Sequence, residues 1–336
     1  MTGKRIPFQF NIHVTDACNL RCKYCYINFA HAAPDMPFAQ LERIIRDAAE
    51  MGTERISLEG GEPLIRKDIG DIVNLVRDLG MECNINTNGF FVAAKIEQIK
   101  RVDLLSVSLD GPKEVHDAMR GAGSFDKAIQ AIGIARQRGI KVHVLFVMNR
   151  SNRHSLDALL DLAQTHGFTL IPTSLFFQAG AKIDERRSTE FVLEDDDYRQ
   201  WLGEIYDRKK AGAPIVWSLG TLRYVTNWPV TFRESNLFDI KNIGSWRKTA
   251  FKPVKCRAAN SFCVMDTNGD LYPCDPLLGY GKAPSAVELG FKEAFNRLST
   301  GGCLACNSIV CTEMNQLFSG NLATIGNLVR NYGKRH

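Results

Sequence analysis

The chain of 336 residues contains no apolar run near the roughly 18 to 20 residues that a bilayer-spanning helix needs. Its opening stretch, MTGKRIPFQF, lacks the apolar core of a secretory signal. Both absences point to a cytoplasmic protein. Long blocks of one charge are also missing: 42 basic and 37 acidic residues are mixed along the chain and leave a net charge of +5. That mixing speaks against the basic arm or patch of a nucleic-acid binder. Mild basicity suits an acidic protein partner, although a solvated surface explains it equally. Isolated cysteine is scarce, since nine of the ten fall in groups and only Cys83 stands alone, in MECNIN, where a small buried hydrophobe is the simplest reading. Tryptophan is scarce and local: Trp201, Trp217, Trp228 and Trp246 share one segment.

Ten cysteines without an export signal imply a reducing compartment and metal binding rather than disulfides. The run CNLRCKYCY sets Cys18, Cys22 and Cys25 in the spacing C-x3-C-x2-C. Thiolates are the usual ligands of iron-sulfur clusters, and three in one loop can hold three irons of a 4Fe-4S cluster while leaving the fourth open to a cofactor or substrate. A structural zinc site wants four protein ligands. The loop offers three, so zinc would need His13 or His31 as well.

Periodicity alternates strand and helix through the first half. FQFNIHV, RISLE, MECNINTNG, LLSVSLDG, KVHVLFVMN and TLIPTSLFF read as strands, with helical patterns between them. Such alternation argues βαβ units and a parallel sheet, with functional groups at the C-terminal strand ends. Six units are too few for a closed eight-stranded barrel and predict an α/β fold, a partial (β/α)6 barrel. The unusual residues gather at those ends: the three cysteines after strand one, Gly60 to Pro63 after strand two, Asn86 to Gly89 after strand three, and Ser108, Asp110 and Gly111 after strand four.

The cysteine loop followed by LEGGEP resembles the radical S-adenosylmethionine (SAM) superfamily, over about residues 8 to 180 as a fold pattern. The resemblance implies that Cys18, Cys22 and Cys25 bind a 4Fe-4S cluster whose open iron is chelated by SAM. Reduction would then release a 5′-deoxyadenosyl radical that abstracts hydrogen from substrate. It also implies SAM contacts for Tyr24, Gly60, Gly61, Glu62, Pro63, Asn88 and Ser108. Gly60 and Gly61 would let backbone approach the methionyl amine, Glu62 would accept from it, Pro63 would stiffen the turn, and Tyr24 would sit near the adenine. Turn capping is the alternative for Asn88 and Ser108. Glu59, Asp110 and Arg120 carry charges that could pair with SAM or substrate, and Arg120 could equally cap its loop.

A second group, Cys256, Cys263, Cys274, Cys303, Cys306 and Cys311, with Gly269 in G-x4-C spacing to Cys274, resembles the SPASM and twitch domains. That resemblance implies an auxiliary 4Fe-4S cluster held by a hairpin and a helix. Six thiolates cannot fully ligate two four-iron clusters, so one auxiliary cluster is expected, with two incomplete ones as the alternative. Zinc remains the competing metal, since C-x2-C pairs are common in zinc ribbons.

The expected organisation is a partial barrel over 1–190, an aromatic bridging region over 191–250 and an auxiliary-cluster domain over 251–336. The bridging region interleaves its tryptophans with Arg223, Tyr224, Phe232, Arg233 and Phe238. These residues suit a stacking pocket or, more simply, interdomain packing. Strand one begins about eight residues in, so a peptide leader would need a separate partner, which favours small molecules such as cofactor precursors.

The leading expectation is a radical SAM enzyme acting on an unactivated C–H bond, with flavodoxin or ferredoxin as electron donor. Maturation of a ribosomally made peptide is the alternative within that chemistry. An iron-sulfur electron carrier and a zinc-binding module are the alternatives outside it.

Overall fold

Alternation along the strands sets both the packing and the cavity. In the first strand Phe10, Ile12 and Val14 are buried in the main hydrophobic core. Gln9 and Asn11, between them, face an internal cavity. The same period of two recurs in the next strand, where Ile56 and Leu58 enter that core while Arg55, Ser57 and Glu59 line the cavity. Such a strand seats helices on one face and turns its polar groups, themselves largely buried, to the cavity on the other.

The computed structural model describes residues 5–27, 34–175, 190–233, 236–237 and 251–332. Six parallel strands, β1 (Gln9–Thr15), β2 (Arg55–Gly60), β3 (Glu82–Thr87), β4 (Leu104–Ser108), β5 (Lys141–Met148) and β6 (Thr169–Ser174), stand in sequence order. Between them run α1 (Phe38–Glu50), α2 (Ile69–Asp78), α3 (Val92–Lys95), α4 (Lys113–Arg120), α5 (Ser124–Gln137) and α6 (Leu156–His166). In α1 the buried residues are Leu41, Ile44, Ile45 and Ala48, the single apolar stripe of a helix lying on a sheet. Helix α4 falls in a polar run that reads as loop in the sequence. Pro112 and Gly121 bound its eight residues, and its buried side chains are His116, Met119 and Arg120.

Two helices follow, α7 (Asp195–Lys210) and α8 (Leu219–Thr226), then the short strand β7 (Asn236–Leu237). Beyond 251 come β8 (Phe262–Met265), β9 (Leu271–Tyr272), α9 (Ala286–Leu289), α10 (Phe291–Arg297), β10 (Ala305–Cys306), α11 (Ile309–Phe318) and α12 (Leu322–Tyr332). Strand β8 pairs in parallel with β1, Phe10 opposite Cys263, and β9 pairs antiparallel with β8. The result is one open sheet of eight strands in the order β6-β5-β4-β3-β2-β1-β8-β9. The barrel sheet therefore runs on into the segment after 251. Strands of four and two residues are too short for periodicity to reveal them.

The tryptophan-rich segment is mostly packing. Trp201 and Trp228 are fully buried, Phe232 packs edge-on against Tyr198, and Arg223 donates to the Tyr206 hydroxyl. Arg233 pairs with Glu194 at the surface. Trp217 is the exception: it lines the cavity, and its ring N–H donates to the Pro172 carbonyl at 2.6 Å. His31, Phe238 and Trp246 lie outside the described residues. No described helix is long and apolar enough to cross a membrane.

Candidate active site

The loop after β1 and the turn after β2 are packed backbone to backbone. Gly61 N–H donates to Thr15 O and Glu62 N–H to Ala17 O, both at 2.8 Å. A Cβ on Gly60, whose φ is +132°, would lie 2.2 Å from Thr15 O, and one on Gly61 would lie 2.2 Å from Ala17 O. The space those side chains would take is thus filled by the chain's own cysteine loop. Gly61→Ala is expected to destabilise the protein by about 1–3 kcal/mol, the usual scale of overpacking, and to lower iron retention on the loop. Gly133→Ala is the control, in open helical space, where alanine is worth up to about 1 kcal/mol in the stabilising direction. Thermal melting and iron content of the two variants check this.

Cys18, Cys22 and Cys25 all line the cavity, and none is in a disulfide. Burial pushes the Cys18 thiol up to about 11 and the Cys25 thiol up to about 12. Burial raises Cys22 too, against the nearby Arg120 guanidinium. Three converging thiols that are costly to ionise alone suit a cation that stabilises thiolates. The donor set fits a cluster of the kind the family carries.

Glu62 is fully buried. Its carboxylate accepts from the Thr87 hydroxyl at 2.7 Å, Asn88 N–H at 2.7 Å and Leu64 N–H at 3.2 Å. Burial pushes this carboxyl up to about 7 against those donors. Glu62 thereby straps the turn after β3 to the turn after β2. Pro63 opens the 3-10 turn Pro63–Ile65. The Asn88 amide donates to Asn19 Oδ1 at 2.9 Å and approaches Cys18 Sγ at 3.9 Å, while its own Oδ1 caps Phe90 N–H. Asn88 thus does both: it caps a turn and reaches the cysteine loop. Ser108 ends β4 on the cavity wall.

Tyr24 is held from behind the loop. Its hydroxyl donates to Asp110 Oδ2 at 2.5 Å and accepts from Arg120. Arg120 also donates to Asp110 at 2.6 Å and lies 5.4 Å from the centre of the Tyr24 ring. Asp110 is 0% and Arg120 8% exposed. Burial raises the Asp110 carboxyl, but the Arg120 charge and hydrogen bonds hold it below its ordinary value. This latch ties the cysteine loop to the end of β4 and to α4; the sequence offers no sign that residues so far apart meet.

Five of the six downstream cysteines gather in one place. The Cys311 thiol, in the first turn of α11, lies within hydrogen-bonding reach of Cys274 and Cys306. Cys256 neighbours Cys311, and Cys303 neighbours Cys306. Cys274, Cys306 and Cys311 pack together with Cys256 against Ala258, Phe262 and Leu277. Cys263 is placed elsewhere. It is 2% exposed in the main core, on the face of β8 opposite Phe262. Cys83 is likewise a core residue, fully buried.

A cavity of about 330 Å³ joins the parts. The cysteine loop and Gly60–Glu62 form its rim, polar residues of β1 to β4 form its inner wall, and Glu313, Met314 and Leu317 of α11 with Asn327 of α12 close one side. Asp275, next to Cys274, reaches the same cavity. Asn11, Ser57, Asp275 and Glu313 were not singled out in the sequence. The signal for the first two was the polar alternation within QFNIHV and RISLE; Asp275 and Glu313 had none.

Residues 12–163 match the model of the radical SAM superfamily. Fe-coproporphyrin III synthase of Methanosarcina barkeri is 31% identical over 211 residues, 59% of this chain and 50% of that protein. Mycofactocin maturase MftC of Mycolicibacterium smegmatis is 28% identical over 326 residues, 90% of this chain and 76% of that one. Among solved structures, Streptococcus suis SuiB bound to SAM superposes with a TM-score of 0.63 at 20% identity, covering 84% of this chain and 64% of that chain. The chain spans half the length of the Methanosarcina relative. The match over residues 12–163 takes in the cysteine loop, the Gly60–Glu62 turn and most of the parallel sheet, so this part of the chain carries a radical SAM domain.

Proposed function

We propose that this protein is a radical SAM enzyme that takes a hydrogen atom from an unactivated C–H bond of a small molecule or cofactor precursor. The observation that carries this reading is that three thiols of one loop, the Gly60–Glu62 turn and polar strand residues all border one cavity. When bound there, a 4Fe-4S cluster and SAM supply one-electron cleavage of the sulfonium and hence a carbon-centred radical. The chain's own part is to bind, orient and exclude water. Cys18, Cys22 and Cys25 hold the cluster. Gly60 and Gly61 present backbone beside it, and Asn88 and Ser108 offer hydrogen bonds at the rim. Tyr24, clamped by Asp110 and Arg120, keeps the loop in place. Helices α11 and α12 wall off solvent.

One auxiliary 4Fe-4S cluster is assigned to Cys256, Cys274, Cys306 and Cys311, whose thiols converge around Cys311. Cys303 is a neighbour, and Cys263 is left to the core. Flavodoxin or ferredoxin is the proposed electron donor, and a cytoplasmic setting is proposed because ten cysteines, nine of them grouped, suit a reducing compartment.

Substrates of the small-molecule class are supported by the names of relatives such as Fe-coproporphyrin III synthase and the AdoMet-dependent heme synthase of Oleidesulfovibrio alaskensis. A second reading, maturation of a peptide, draws on the SuiB fold, which has been solved bound to the precursor peptide SuiA.

Anaerobic reconstitution followed by SAM and dithionite tests the proposal. About eight irons per chain, four for each cluster, and formation of 5′-deoxyadenosine are expected. Cys274→Ala should lose about four irons yet still form deoxyadenosine, whereas Cys263→Ala should keep all of them. Full iron without any SAM cleavage would return the chain to an electron carrier, and tightly bound zinc in its place would make it a zinc module.

A further inference from the structure

Between the two cysteine groups, His13, Glu59 and Asp275 bring one imidazole nitrogen and two carboxylate oxygens within 4.8 Å of one another. Three segments supply them. His13 and Glu59 are register partners on β1 and β2, and their strand neighbours Ile12, Val14 and Leu58 turn the other way into the main core. Asp275 opens the 3-10 turn Asp275–Leu277 after β9, delivered there because β8 lies beside β1. The Asn11 amide donates to both Asp275 oxygens, at 3.2 and 3.4 Å. His13 is buried, and both carboxylates sit on the cavity wall.

Among the described residues, no lysine or arginine pairs with Glu59 or Asp275 in a salt bridge. Two carboxylates facing each other in a closed space repel, and each is costly to ionise without a counter-charge. Burial, then the nearby Asp275, push the Glu59 carboxyl up to about 8. A cation seated among the three groups removes that cost for both acids at once. Metal bonds to histidine nitrogen and carboxylate oxygen of about 2.0–2.2 Å put neighbouring donors roughly 3.0–3.5 Å apart and opposite ones about 4.2 Å apart. Closing from 4.8 Å asks only for small side-chain rotations. One nitrogen and two oxygens suit a borderline divalent ion and contrast with the all-sulfur sites on either side.

We propose that His13, Glu59 and Asp275 form a site for one divalent first-row metal ion, of the Mn2+, Fe2+ or Zn2+ type, on the cavity wall between the two thiol groups. Asn11 orients the Asp275 ligand. The open positions of the ion face the cavity, where they take an oxygen of an anionic or carbonyl-bearing substrate. The site stands on its own residues and does not depend on whether the protein cleaves SAM.

The test titrates Mn2+ into the anaerobic, cluster-loaded full-length protein and follows loss of the free-ion electron paramagnetic resonance signal. About one equivalent should bind, at least tenfold more weakly in Glu59→Gln and roughly tenfold more weakly in Asn11→Ala. Iron content of each variant should stay at the parent value. In the parent protein, pulsed resonance of bound Mn2+ should show coupling to an imidazole nitrogen, and this readout needs no variant to fold. No binding below millimolar Mn2+, unchanged binding in Glu59→Gln, or bound Mn2+ without nitrogen coupling would each overturn the proposal.

Discussion

Replacing Cys22 by alanine is expected to remove about four irons and to bring deoxyadenosine formation down to background while the fold persists. The cavity-lining thiols come from a single turn, in which Cys25 N–H donates to Cys22 O. Deleting one cannot be made good by a neighbour. His13, one imidazole the sequence offered as a fourth ligand, belongs to a different constellation, with Glu59 and Asp275. Because the reactive chemistry belongs to the bound group rather than to any side chain, the loss should be complete rather than graded. Cys18→Ala and Cys25→Ala should match it. Stability should change little, since the three thiols are only partly buried and the backbone and Tyr24 contacts that hold the loop do not involve their sulfurs. Iron quantitation, a melting curve and chromatographic detection of deoxyadenosine decide the matter. Normal SAM cleavage in any of the three variants would remove the loop from the active site.

Arg120→Met is expected to cost about 3–5 kcal/mol of stability, because it leaves the fully buried Asp110 carboxylate without its cation. The same change frees the Tyr24 hydroxyl from one of its two partners and loosens the cysteine loop. Lower iron retention should therefore accompany the lower unfolding midpoint in urea. Tyr24→Phe should cost less, about 1.5–3 kcal/mol, since the ion pair stays intact and only the hydroxyl's hydrogen bonds to it are lost. The double variant Arg120→Met with Asp110→Leu separates the two roles. Removing both charges should recover most of the stability but not the iron retention, because Tyr24 then has no anchor. A cost below about 1 kcal/mol for Arg120→Met, the scale of an exposed pair, would show that the latch is not a buried ion pair in solution.

The cysteine loop, the LEGGEP turn and the six βα units were legible because each is local: a thiol spacing, a glycine pair before a proline, an alternation of apolar residues. The reason for the glycines was not, since the groups that fill their Cβ positions, Thr15 O and Ala17 O, belong to a different loop. Spacing also could not separate Cys263 from Cys256. Both precede Gly269 in the same run, yet β8 turns Cys263 into the core, while Cys256 joins Cys274, Cys306 and Cys311. The hairpin of β8 and β9 carried no periodic signal because it is short, although it decides where the whole second cysteine group sits.

What the residues settled unaided is the chemistry on offer: grouped thiols for a metal, an open-sheet α/β scaffold, and polar side chains alternating along its strands. Which of those groups meet was left to tertiary structure. Parallel pairing of β8 with β1 brings Asp275 to His13 and Glu59 and sets the second cysteine group beside the barrel cavity. Burial of Arg120 against Asp110 fixes Tyr24 across a separation of 96 residues. Contacts of this kind arise from packing between distant segments, where the energy depends on geometry and desolvation rather than on residue type, so no local pattern encodes them.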